Sequence, residues 1–513
     1  MNIQEAKQEI IHTLQAYHRK DAAGRYCFPL VRQRPILLIG PPGIGKTAIM
    51  EQIAQECGIG LVAYTITHHT RQSAIGLPEI VTRIYDGQEN RVTEYTQSEI
   101  IASVYDCMER TGKREGILFI DEINCVSETL APTMLQFLQN KTFGSHRVPE
   151  GWMIVAAGNP RGYNKSAREF DVVTLDRVRK IEVEPELAVW MEYAWQHEVH
   201  GAILSYLNLK KEQFYFVENA AGEKQFVTAR SWEDLSELLK SYEALGIPAG
   251  EPLMAQYLQR EETARQFAAY YRLYCKYGED YGITEILNGV IGPDGPVSGQ
   301  YTRKVQMARQ ASFEERFTVI GLLLDGLGQS LAAYSRMDKR LVQLQEALKQ
   351  FLDIRRKDFF LSDYVEERRN RLALRKRMEL ASYAEVCLET EVLQLLDAYD
   401  TAMKEQHLAG MEERVVWIRE RFRADAREQE NLTDAIHVQL SRAFRFASDC
   451  FGTEQELLLL VTGLTRNRNA AEFIAMNGCD EYLRYSELLL AEDLEGQDEL
   501  EALLGVEMET DSC

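Results

Sequence analysis

The chain has 513 residues and is 45% hydrophobic, ordinary for a folded protein but too long for one core, so about two to four domains are expected. A net charge of −21 argues against broad, nonspecific nucleic-acid binding and leaves only a local basic groove for that role. No uninterrupted apolar run reaches the roughly 18 residues of a membrane span, and nine scattered cysteines without a C-x-x-C pair predict reduced, cytoplasmic thiols with neither a disulfide framework nor a zinc site.

Residues 1–29 open on Met1–Glu9, which reads as the start of an amphipathic helix and not as a signal peptide. Pro35–Ile39 is a short apolar run of the kind that forms a buried strand, placed at Ile36–Ile39, and Ala48–Ala54 reads as a helix. Between them, Gly40, Pro41, Pro42, Gly43, Ile44, Gly45, Lys46 and Thr47 fit G-x-x-x-x-G-K-[ST] at every required position. Glycines let backbone N–H groups close around an anion, and the helix N-terminus adds partial positive charge. Lys46 would reach the β- and γ-phosphates, and Thr47 would hold Mg²⁺. A glycine-rich turn that binds nothing would not need this strand, spacing, Lys-Thr pair and helix together.

Further strands are predicted at Gly60–Thr65, Ile117–Ile120, Met153–Ala157 and near Lys180–Val183, with helical patterns between them. That alternation predicts an α/β fold, a parallel sheet covered on both faces with its ligand at the carboxyl ends of the strands. Residues 79–96 interrupt it: β-branched runs flank Asp86-Gly87, a hairpin signal. A second hairpin is expected over Lys141–Ile154.

The run Ile117–Ile120 ends on Asp121 and Glu122. Asp121 would position Mg²⁺, and Glu122 would orient and deprotonate the attacking water. Acidic helix caps look the same, so the pair gains meaning only downstream of a phosphate loop. Asn159, at the end of Met153–Ala157, would hold the water or the γ-phosphate; alone it reads as a turn residue before Pro160. Two arginines follow, Arg177 and Arg230, of which a guanidinium supplied in place could accelerate phosphoryl transfer. A single surface arginine is more often one half of an ion pair.

From about residue 186 the chain reads mostly helical, with a small helical domain at 186–245 and a clear loop at Gly292–Gly299. Ala491–Cys513 carries nine acidic residues and no Lys or Arg, and reads as a solvated tail.

Taken in order, Gly40–Thr47, Leu118–Glu122, Asn159, Arg177 and Arg230 resemble Walker A, Walker B, sensor 1, arginine finger and sensor 2 of AAA+ ATPases. The hairpin at 79–96 looks like the helix-2 insert, and Lys141–Ile154 like the pre-sensor-1 hairpin. Ile181–Pro185, Trp190 and Ala229–Trp232 look like the MoxR branch in particular. Arg179 is the alternative to Arg177, and Val178 stands where an aromatic usually follows the finger.

The resemblance implies a P-loop AAA+ core at 30–185 and a helical lid at 186–250, covering under half of the chain. The resemblance does not extend to the mainly α-helical region expected at 251–490 or to the acidic tail at 491–513. It also implies ATP and Mg²⁺ as cofactors, nucleotide contacts through Gly40–Ala48 and Asp121, metal contacts through Thr47 and Asp121, and catalytic roles for Glu122, Asn159, Arg177 and Arg230. A homo-oligomeric, hexameric ring would follow, with Arg177 completing the neighbouring subunit's site and a protein partner, in MoxR-like members often one carrying a von Willebrand factor A domain. Two other readings stand beside a protein remodeller: a nucleic-acid-stimulated motor, weakened by the acidic charge, and a nucleotide-gated scaffold.

Three further features carry less. His68-His69 and His197/His200 lack the ligand count and spacing of a metal site. The arginines and lysine at 368–377 lie among Glu366, Glu367 and Glu379, so a charged helix face is the better reading. Phe267–Tyr274 has helical spacing and reads as packing.

Overall fold

The computed structural model describes all residues except 69–75, 144–145, 165, 221–222, 295–296, 355–359, 378–382, 409, 453–454 and 488–513. The calls on His69, the second hairpin's tip, part of Gly292–Gly299 and the acidic tail lie outside the described residues. The chain divides into two compact units. One comprises Met1–Met191, Glu212–Leu235 and Ala255–Glu261; the other comprises Glu192–Lys211, Ser236–Met254 and Glu262–Cys513.

The first unit is built on a five-stranded sheet, β1 (Ile36–Ile39), β2 (Gly60–Thr65), β5 (Gly116–Asp121), β8 (Trp152–Gly158) and β9 (Arg179–Glu182), in the order β2-β5-β8-β1-β9. Every pairing is parallel. Two expected strands have the expected bounds, two extend by a residue at each end, and the last lies one residue earlier. Alternation along the strands divides them between two cores. Ile36, Leu38, Ile117, Phe119 and Val155 face Ala6, Ile10 and Leu14 of helix Ile3–His18, with Ile49 and Ile53 of helix Lys46–Glu56. Leu37, Leu118, Ile120 and Ile154 face Ile100, Val104, Met134 and Phe137 of helices Glu99–Thr111 and Ala131–Asn140. Strands buried on both faces read as continuous apolar runs, which is why the sequence shows them so clearly. The order reverses beside β1, whose neighbours both come late in the chain. Such a reversal opens a crevice at the carboxyl ends of the strands.

Strands β3 (Pro78–Tyr85) and β4 (Gln88–Tyr95) form the first expected hairpin. Its turn is Asp86-Gly87, both at positive φ (49° and 78°), as a two-residue turn of matching twist demands. The second hairpin is shorter than expected. Only β6 (Thr142–Phe143) and β7 (His146–Arg147) pair, and the residues from Trp152 onward belong to the central sheet. Another antiparallel pair, β10 (Phe216–Ala220) with β11 (Glu223–Val227), lies in a stretch read as helical.

The second unit is helical. Its two longest helices are Phe313–Asp353 and Met411–Phe451, of 41 residues each. One core gathers Leu323, Leu327, Leu440, Phe444, Leu460 and Phe473; another gathers Leu344, Phe351, Tyr364, Val392, Leu396 and Tyr399. Helix Phe313–Asp353 is long and apolar enough to cross a membrane by length and composition, and 56% of its most apolar window is buried within the protein. His200 caps its own helix, Nδ1 accepting from the Ala202 N–H at 3.1 Å, while Nε2 lies 2.9 Å from a Glu243 carboxylate oxygen. Arg368, Arg369 and Arg375 pair with Glu389, with Glu366 and Asp397, and with Glu385 respectively. Phe267, Tyr271 and Tyr274 are buried.

Candidate active site at the carboxyl end of the sheet

The loop after β1 turns through left-handed backbone at Gly43 and Gly45 (φ 73° and 92°) and enters helix Lys46–Glu56. Gly43 also admits no side chain, because a Cβ there would lie 2.8 Å from the Thr228 side chain. The helix has no side-chain cap, so the N–H groups of its first turn, Lys46 to Ala48, have no intrahelical acceptor. An unsatisfied first turn is suited to an anion.

Lys46 is 8% exposed. Its ammonium donates to Gly40 O (2.8 Å), Pro41 O (2.7 Å) and Asn159 Oδ1 (2.9 Å). Burial lowers its pKa to about 8, with Asp121 opposing that shift, Arg230 adding to it and Glu122 opposing it. All three hydrogen-bond acceptors are neutral oxygens, so the charge of this buried cation is offset only at longer range, by Asp121 and Glu122.

The end of β5 supplies the carboxylates. Thr47 Oγ1 donates to Asp121 Oδ2 at 3.1 Å, and the Glu122 N–H donates to Asp121 Oδ1 at 2.8 Å. Glu122 itself has left-handed backbone (φ 56°, ψ 33°), which costs a residue with a side chain about 1–2 kcal/mol. Its half-buried carboxylate makes no hydrogen bond among the described residues. Strand register explains the assembly: Ile39 is level with Gly158, and Ile120 with Ala156, so three strand ends deliver Gly40, Asp121 and Asn159 to one rim.

Arg230 is exposed; its N–H donates to Gly43 O at 3.3 Å, so it borders the phosphate loop. Arg177 is not brought to this rim by any hydrogen bond. It is exposed, follows the short helix Val172–Leu175, and makes no ion pair among the described residues. Arg179 differs, since its guanidinium is engaged by Glu9 and Thr13.

Three residues of this site escaped the sequence reading. Asn124 is 6% exposed. Its Nδ2 donates to the Asn159 backbone carbonyl at 2.7 Å, and its own carbonyl accepts from the Arg168 N–H at 2.9 Å. The Tyr215 hydroxyl donates to Pro42 O at 2.8 Å. Thr228 packs on Gly43. Only Asn124 left a signal, a polar residue set between the apolar Ile123 and Cys125-Val126 directly after Asp121-Glu122.

The group is chemically suited to a polyphosphate. A buried cation and free N–H groups face negative charge, two hard oxygen side chains adjoin, and a carboxylate without a hydrogen bond stands beside them. No curated protein matches the chain. Residues 35–178, which hold the phosphate loop, Asp121, Glu122, Asn159 and Arg177, match the AAA domain of the dynein-related subfamily, and this match supports an AAA+ ATPase domain in that segment.

Proposed function

We propose that this chain is a Mg²⁺-dependent, MoxR-like AAA+ ATPase that hydrolyses ATP to remodel or assemble a protein partner, acting as a hexameric ring in the cytoplasm. The observation that carries the reading is the junction of three strand ends, where Lys46 reaches Asn159 and Thr47 reaches Asp121. In this reading the loop N–H groups and Lys46 bind the β- and γ-phosphates. Thr47 and Asp121 would hold Mg²⁺, which when bound neutralises phosphate charge. Glu122 orients a water in line with the γ-phosphorus and takes its proton on the free carboxylate. Asn159 holds the γ-phosphate or that water, and Arg230 contacts the nucleotide from the 229–245 helix.

Arg177 is the trans arginine of choice because Arg179 is already paired. Beside it, Val172 and Val173 are 81% and 54% exposed, an apolar surface suited to a neighbouring subunit. The likeness of Ile181–Pro185, Trp190 and Ala229–Trp232 to the MoxR branch is what supports a chaperone-like role and a von Willebrand factor A partner.

Glu122→Gln tests the chemistry and names the client. It should bind ATP as the parent does while turnover falls by about a hundredfold or more. Near-parental turnover would remove Glu122 from the mechanism. Purified from its native cells with ATP and Mg²⁺, the variant should retain a defined protein that is lost when Lys46→Ala is added. Retention of nuclease-sensitive material instead would make the chain a motor on nucleic acid.

A further inference from the structure

The phosphate loop is held from outside as well as from within. Four consecutive carbonyls, Gly40 to Gly43, each have a donor. Lys46 serves the first two; the Tyr215 hydroxyl serves Pro42 O and the Arg230 N–H serves Gly43 O. The identity of the loop residues makes the second pair the important one. Pro41 and Pro42 have no N–H. The first N–H groups the loop can present after Gly40 are therefore those of Gly43 and Ile44. In a trans peptide the carbonyl and the following N–H point in opposite directions. Holding Pro42 O outward aims the Gly43 N–H inward, and holding Gly43 O outward aims that of Ile44.

Tyr215 is itself fixed. The preceding residue, Phe214, is buried and lies against Trp190 with ring centres 5.2 Å apart. Its carbonyl accepts from Trp232 Nε1 at 3.1 Å, and Trp232 is fully buried. The Tyr215 ring packs on the core that contains Ile44 and Val183. Burial raises the phenol's pKa, so the hydroxyl keeps the proton it donates. Trp190 and Trp232, conspicuous in the sequence and without a place in the chemistry, thereby acquire one.

We infer that Tyr215 is a positioning residue for the nucleotide, a strap that sets the direction of the Gly43 N–H and is anchored by Trp190 and Trp232. This rests on the reading of the loop as an ATP site. Tyr215 touches no reacting atom in that reading; it acts through Pro42.

The test is Tyr215→Phe, which removes one oxygen and leaves the ring. Three measurements are made on the full chain beside Lys46→Ala: binding of a fluorescent ATP analogue, steady-state hydrolysis, and hydrogen exchange, without nucleotide, of the Arg230 amide that Gly43 O holds. One hydrogen bond lost should weaken analogue binding about five- to tenfold and raise KM similarly, with kcat at saturation held within about twofold. Exchange at Arg230, whose N–H is held by Gly43 O, should quicken while the β5 and β8 amides stay as in the parent. A residue that merely supports the fold would lower the melting temperature without this division between KM and kcat. If Lys46→Ala abolishes binding while Tyr215→Phe binds within about twofold of the parent and exchanges at the parental rate, the strap is refuted and the ATP site stands. If the parent chain does not bind the analogue, the ATP reading fails, and unchanged exchange in Tyr215→Phe would then refute the strap separately.

Discussion

Lys46 holds its proton loosely, and that has a measurable sign. Its pKa is lowered from 10.5 to about 8, chiefly by burial. A bound polyphosphate would raise it again, so the complex binds the proton more tightly than the free protein. Below pH 8 both states are charged and affinity is flat with pH. Above it, affinity should fall, by up to about tenfold per pH unit until the pKa of the complex is reached. Calorimetry of ATP binding at pH 9 in two buffers of different ionisation enthalpy should show proton uptake; none would mean that the ammonium is not at the phosphates. For stability the sign is opposite. The unfolded chain binds this proton more tightly, so Lys46 destabilises the fold below pH 8 and progressively less as pH rises toward 10.5. Asn124→Ala makes a second residue-level prediction. It leaves the Asn159 carbonyl without its donor and should destabilise the first unit by about 1–3 kcal/mol, read by denaturant unfolding. Gly40–Thr47, Asp121, Glu122 and Asn159 were legible because each lies at or just after the carboxyl end of a strand, where linear spacing is also spatial order. Tyr215 and Thr228 were not, because they act across more than a hundred residues of chain and nothing near them in sequence marks the contact.

Among the elements, the β3–β4 ribbon stands apart. Ile80 and Ile84 are 71% and 70% exposed, and two strands alone are marginal in water. Its register therefore leans on the turn at Asp86-Gly87. Gly87→Val forces a β-branched side chain into left-handed backbone at a cost of about 1–2 kcal/mol. Amides of 80–94 should then exchange about tenfold faster or more, while those of β5 and β8 do not change; uniform slowing or speeding would deny the ribbon its independence. The turn and its flanking β-branched runs made this hairpin readable. The expected 141–154 hairpin was overdrawn because Trp152–Ile154 is as apolar as a hairpin strand and belongs to the sheet instead. The β10–β11 pair was hidden by Glu218, Ala220 and Glu223, residue types that favour helices over strands, so that packing and not propensity decides their state.

For the molecule as a whole, the open question is whether each site is completed by another copy. Arg177→Ala should reduce hydrolysis by about a hundredfold or more while leaving ATP affinity within about threefold. Mixing it with Lys46→Ala subunits, which retain Arg177, should restore part of the activity, since each variant would lend the half that the other lacks. No loss in Arg177→Ala would reject the trans role. Arg179→Ala should instead act on stability alone, by under about 1 kcal/mol, because its partners Glu9 and Thr13 lie on the Ile3–His18 helix. The parallel sheet and the helical character of the C-terminal half were legible from periodicity. The division into units was not, since Glu192–Lys211 and Ser236–Met254 group with the later helices through contacts distant in sequence.

The left-handed backbone at Glu122 has a consequence for anyone seeking a hardier form of this protein. Glycine adopts that conformation without the cost that a side chain incurs, so Glu122→Gly should gain up to about 1 kcal/mol after its greater freedom in the unfolded chain is counted. A selection for heat resistance alone would then favour loss of the carboxylate that the proposed chemistry requires. Thermal melting of Glu122→Gly beside Glu122→Gln separates the two effects: both should be inactive, and only the glycine variant should melt later.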